Sequence, residues 1–95
     1  MTIKEYQDFC KKEVKNSKLE VMALGLAGES GEVCDIVKKA YRDNKPIDLP
    51  HIMEEIGDVC WYVANLCSHF NVDMEYMLSK NVEKLTARYN IKEEK

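Results

Sequence analysis

Glycine is scarce in this chain, four in 95 residues, and none of the four falls in a predicted turn. No segment alternates apolar and polar residues as a half-buried strand does, which excludes a sheet protein. The four cysteines, Cys10, Cys34, Cys60 and Cys67, form no CxxC pair. No secretory signal precedes the first predicted helix, so a disulfide framework is not expected. The cysteines, all at apolar helix positions, are expected as small buried hydrophobes in a reducing compartment, and a cytoplasmic location follows. The longest wholly apolar run is far too short to span a bilayer, so no membrane partner is expected. There is no excess of basic charge: the net charge is -3, which removes the electrostatic case for binding nucleic acid. No repeat, low-complexity tract or linker divides the chain, and its length suits one domain, residues 1–95. What is present is ordinary for a globular protein, with 45% apolar and 33% charged residues.

The apolar residues follow helical spacing and predict an all-α, four-helix protomer with helices at about 2–15, 18–42, 49–70 and 73–90. Thr2-Ile3-Lys4-Glu5 has the form of a capping box, and Ser17-Lys18-Leu19-Glu20 repeats it beyond a break at Asn16-Ser17. The second helix is apolar on nearly all sides, which predicts either a central helix or one that also meets a second subunit. Asp43-Asn44-Lys45-Pro46 is a turn, Asp48 is a cap for the third helix with Pro50 in its first turn, and Asp73 caps the fourth. Ile52, Ile56, Val59, Val63, Leu66 or Cys67, and Phe70 form the core stripe of the third helix. Met74, Leu78, Val82, Leu85 and Tyr89 form that of the fourth. Ile91 to Lys95 is charged and expected to fray.

Two acidic pairs stand out from this pattern. Gly28-Glu29-Ser30-Gly31-Glu32 and Glu54-Glu55-Ile56-Gly57-Asp58 each place two carboxylates three residues apart, on one helix face, with Cβ atoms about 5–6 Å apart. Both pairs sit in apolar helices rather than solvated ones. If those helices lie side by side, Glu29, Glu32, Glu55 and Asp58 converge, and their mutual repulsion needs a cation to cancel it. An all-oxygen donor set suits a hard divalent ion, Mg²⁺ or Mn²⁺. Di-iron bundles use Glu-x-x-His, and neither His51 nor His69 lies three residues after a Glu, so both histidines are read as surface residues. Gly25, Gly28, Gly31 and Gly57 lie within the helices that carry the acids. Either close helix packing or room for a ligand accounts for them. The polar stripe continues from Asp58 to Tyr62 and Asn65, and Asn81, Lys84 and Arg88 form another on the last helix. Trp61 points away from the acids, toward core or interface. Lys38, Lys39 and Arg42 read as surface cations that complement the helix dipole.

Leu24 to Val33 together with Glu54 to Tyr62 closely resembles the MazG-like nucleoside triphosphate pyrophosphohydrolases, whose hallmark is Glu-x-x-Glu, a helix-turn-helix spacer, then Glu-x-x-Asp. The resemblance runs from about Leu19 to Tyr89. It implies a single MazG-like domain whose helices complete a bundle by homo-oligomerisation, as dimer or tetramer. It implies hydrolysis of a nucleoside triphosphate, a dNTP or a non-standard nucleotide among them, to the monophosphate and pyrophosphate. It implies Mg²⁺, with Mn²⁺ as a substitute, on Glu29, Glu32, Glu55 and Asp58, which are the catalytic set. It places Lys84 and Arg88 by the triphosphate, with Asn81 on the same stripe. Tyr62 then contacts base or sugar and Asn65 hydrogen-bonds the nucleotide. The competing expectation is a catalytically silent helical dimer that serves as scaffold or regulatory module, against which the intact acidic quartet argues. A carboxylate bundle with redox chemistry is weakened by the missing Glu-x-x-His.

Overall fold

Local capping sets the helix starts. The computed structural model describes residues 1–14 and 18–89. Helix α1 is Ile3–Glu13. Its capping box is formed: the Glu5 N–H donates to Thr2 Oγ1 at 3.0 Å and the Thr2 N–H donates to Glu5 Oε1 at 2.9 Å. Helix α2 is Leu19–Arg42, and its N-cap Lys18 makes no side-chain cap bond. The expected box on Ser17 and the break at Asn16-Ser17 lie outside the described residues, as does the C-terminal segment beyond Tyr89. Helix α3 is Leu49–His69, capped by Asp48 Oδ1, which accepts the His51 N–H at 3.3 Å. Helix α4 is Met74–Tyr89, and Asp73 Oδ1 accepts the Glu75 N–H at 3.0 Å. Among the described residues there is no strand, and no helix is long and apolar enough to cross a membrane.

Helices α2 and α3 end in the same way. Asn44 and Asn71 adopt positive φ, 52° and 56°. The Lys45 N–H then reaches Ala40 O at 2.9 Å, and the Val72 N–H reaches Cys67 O at 2.8 Å. These are Schellman closures, with Asn where Gly is commoner because Asn tolerates the left-handed region.

The hub is α3, which touches α1, α2 and α4, whereas α2 touches α3 alone. Of the two expectations for α2, the central helix is therefore corrected. A core cluster of Cys10, Ala64, Cys67 and Met74 joins α1, α3 and α4, with Tyr6, Trp61, Val63, Val72, Met77 and Leu78 packed on it. On α2 only Met22 is buried. Several expected core positions lie open: Ile56 and Phe70 of α3, and Val82 and Tyr89 of α4. Cys10 and Cys67 are buried as expected, but Cys60 is half-buried and Cys34 is exposed. The chain is correspondingly open. Its radius of gyration is 15.8 Å, where a compact domain of this length has about 12 Å. It exposes 7680 Å², where a compact monomer of its mass exposes about 5,600 Å².

One buried polar side chain ties the core together. Gln7 Nε2 donates to Ser68 Oγ at 3.1 Å and to Val72 O at 2.9 Å, and Gln7 Oε1 accepts the Met74 N–H at 2.8 Å. α1 is thereby fastened to the α3–α4 turn. Gln7→Met keeps the volume and removes all three bonds, leaving the buried Met74 N–H without its partner. The expected loss is about 2–3 kcal/mol in urea unfolding, the cost of stranding buried polar groups. A loss below about 0.5 kcal/mol would show that water replaces these bonds freely.

Candidate metal centre

Helix α2 lies along α3, and the contact brings the two acidic pairs toward each other. Glu29, Glu55 and Asp58 each place one carboxylate oxygen within 4.8 Å of the others. Glu29 and Glu55 are half-buried and Asp58 is exposed, so the group opens to solvent on one side. Glu29 and Glu55 come close enough to share a proton. That sharing raises the Glu29 carboxyl above its ordinary value, with burial and then the charges of Glu55 and Asp58 adding to the effect.

Among the described residues no Lys or Arg is ion-paired with any of the three. Lys38 and Lys39, the nearest candidates in sequence, are both held by Asp35, at 3.4 Å and 2.8 Å. These bonds hold Asp35 below the usual carboxylate range, Lys39 contributing most. Arg42 pairs with Asp43 at 2.9 Å. Among the described residues the one cationic contact to the trio is His51, whose Nε2 lies 3.9 Å from Glu55 Oε1 and which pairs only when protonated. Three facing carboxylates with no fixed cation among the described residues suit a hard divalent ion, because such an ion takes oxygen donors and its charge removes the repulsion.

Glu32 does not join the group. One turn beyond Glu29, it faces an adjoining cleft of about 290 Å³ lined also by Asp35, Lys39, Asp48 and His51. Tyr62 lies one turn beyond Asp58, with its ring against the α2 backbone at Gly25. Asn65 is buried, and its Nδ2 donates to Trp61 O at 3.0 Å within α3. Trp61 packs on the core, as its helical position implies. Asn81, Lys84 and Arg88 are exposed on α4, which makes no contact with α2. The single chain therefore gathers three of the four acids with Tyr62 beside them, and does not bring the α4 stripe against α2. Both histidines are exposed, but His51 belongs to the site's edge rather than to inert surface. Its spacing of four residues before Glu55 is the signal that marks it.

The glycines divide. A Cβ on Gly25 would run into the Tyr62 ring, whereas one on Gly28, Gly31 or Gly57 would meet nothing within 4 Å. Close packing within the chain accounts for Gly25 alone.

Comparison with known proteins agrees with the acid pattern. Residues 17–91 match the family model of the MazG nucleotide pyrophosphohydrolase domain. Over 74 residues the chain is 35% identical to the Gene 37 protein of Mycobacterium phage L5, an alignment that covers 74% of this chain and 65% of the phage protein. The chain thus spans a little under two thirds of that relative's length. No solved structure matches the chain. On the family match, which takes in both acidic pairs and the turn between them, the chain belongs to the MazG nucleotide pyrophosphohydrolase domain family.

Proposed function

We propose that the protein hydrolyses a nucleoside triphosphate between its α and β phosphates, in a Mg²⁺-dependent reaction that releases the monophosphate and pyrophosphate. The observation that carries this reading is the group of Glu29, Glu55 and Asp58 oxygens within 4.8 Å, with no Lys or Arg paired to it among the described residues. Glu32, on the same face of α2 one turn on, is the fourth ligand in this proposal. A bound divalent ion supplies charge to the phosphate oxygens and lowers the pKa of an attacking water. The chain's own groups do the rest. Glu29, Glu55 and Asp58 would hold the ion, and a carboxylate of the group would accept the proton of the attacking water. Asp58 marks the open side on which a triphosphate arrives. Tyr62, next along the stripe, meets base or sugar.

Lys84 and Arg88, with Asn81, are proposed to hold the triphosphate oxygens, a task suited to an ammonium point charge and a guanidinium fork. Within one chain α4 makes no contact with α2, and the proposal therefore includes a homo-oligomer in which helices from two copies complete the bundle. The bare apolar surface of α2 supports the same reading.

The test is a panel of ribo-, deoxy- and damaged nucleoside triphosphates incubated with Mg²⁺ and assayed for pyrophosphate. At least one is expected to turn over, and EDTA is expected to stop it. Background turnover across the whole panel would sink the enzymatic reading.

A further inference from the structure

We propose that Gly25 is a positioning residue for the acid trio: by lacking a Cβ it seats the Tyr62 ring against α2 and so sets the separation of α2 from α3 where the carboxylates meet. The proposal rests on reading that trio as a divalent-cation site. The contact lies beside the site on both helices. Gly25 is one turn before Glu29 on the same face of α2, and Tyr62 is one turn after Asp58 on the same face of α3. A Cβ at position 25 would fall on Cε1, Cζ and Cδ1 of Tyr62. Those are atoms of a planar ring, which cannot bend aside as the end of a flexible chain can.

The ring is held from a second direction. Trp61 meets Tyr62 edge-on, with centroids 5.0 Å apart and planes at 88°, and Trp61 itself packs on the core. A methyl group at position 25 therefore has two outcomes. It expels the ring from the helix contact, or it pushes α3 away from α2. Either one moves Asp58 and Glu55 relative to Glu29. Mg²⁺ demands near-ideal octahedral geometry at about 2.0–2.1 Å, so small shifts of its carboxylate ligands weaken binding. The other three glycines have no such contact, which singles out Gly25.

Cation binding is measured by calorimetric titration of the full chain with MgCl₂ and with MnCl₂. Emission from Trp61, the sole tryptophan, reports whether the ring beside it has moved. Gly25→Ala is expected to bind either ion at least tenfold more weakly than wild type, with helical content unchanged by circular dichroism and with altered Trp61 emission. Tyr62→Leu, which leaves a gap where the ring spaced the two helices, is expected to bind at least threefold more weakly than wild type. The double variant Gly25→Ala/Tyr62→Leu is expected to recover to within threefold, because the new methyl then occupies space the ring has left. A general loss of stability does not produce that recovery. Wild-type affinity in Gly25→Ala overturns the proposal. So does a folded double variant as weak as Gly25→Ala, and that arm decides the matter where the single variant does not fold. A wild-type chain that binds neither ion instead overturns the cation reading of the trio, and this proposal with it.

Discussion

Glu29→Gln is expected to all but abolish pyrophosphate release while making the metal-free protein more stable at neutral pH. The two effects have one cause. In the folded chain Glu29 faces Glu55 and Asp58, and its carboxyl is raised, chiefly by sharing a proton with Glu55. A carboxyl raised on folding contributes stability that is fully present below its unfolded value and is lost as pH rises through its folded value. At pH 7.5 in EDTA the wild type therefore carries a repulsion that Gln lacks, and the variant melts higher. As the pH falls through the acid range the wild type becomes protonated there, and the difference shrinks. Excess Mg²⁺ reverses the order, because an ion that binds only the folded state stabilises it by about 2.7 kcal/mol at a hundred times its Kd. Turnover with Mg²⁺ is expected to fall about a hundred- to a thousandfold, the scale seen when an electrostatic element of an active site is removed. Melting curves at pH 4.5 and 7.5, each with EDTA and with Mg²⁺, check the stability part. A variant less stable than wild type in EDTA at pH 7.5 would show that the three carboxylates do not repel one another in solution. His51 is the neighbour to watch at the acid end, since its protonated form pairs with Glu55.

Leu24→Asp is expected to convert a homo-oligomer into a poorly folded, inactive monomer. Leu24 is 73% exposed on α2 and Tyr41 is 89% exposed near its end, although α2 is among the more apolar segments of the chain. Val21 and Val37 lie open on the same helix. So many large apolar side chains left open on one helix point to a surface that is covered by a partner. The excess over a compact monomer is about 2,000 Å² per chain, and two chains burying that much reach about 4,000 Å², within the range of obligate homodimers. A charge introduced at Leu24 would have to be buried without a partner, which a contact of this kind does not tolerate. Wild type is expected to sediment at a multiple of 11.0 kDa, and the Leu24→Asp chain at that mass with a lower melting temperature. A wild-type chain that remains a stable monomer at micromolar concentration would remove the oligomer from the proposal, and with it the route by which α4 reaches a second copy's acids.

Features governed by neighbours within four residues were legible in the sequence. The Thr2–Glu5 box, the Asp48 and Asp73 caps, the extents of the four helices and the pairing of acids on one face of α2 and of α3 all follow from bonds and spacings of one helical turn. The convergence of Glu29 with Glu55 and Asp58 was inferable one step further, from the improbability of unpaired acids in apolar helices.

The rest depended on groups far apart in the chain. That α3 and not α2 is the hub, that Gln7 binds residues 61 to 67 positions away, that Cys34 lies open and that Glu32 faces the adjoining cleft are outcomes of packing between helices. Periodicity marks which face of a helix is apolar, but it does not say what covers that face. An apolar α2 predicted burial, and the folded chain leaves most of it exposed. Gly25 makes the point most sharply. Four glycines look alike along the chain, yet at only one of them would a Cβ strike an aromatic ring, because only the α2–α3 contact decides where the missing Cβ matters.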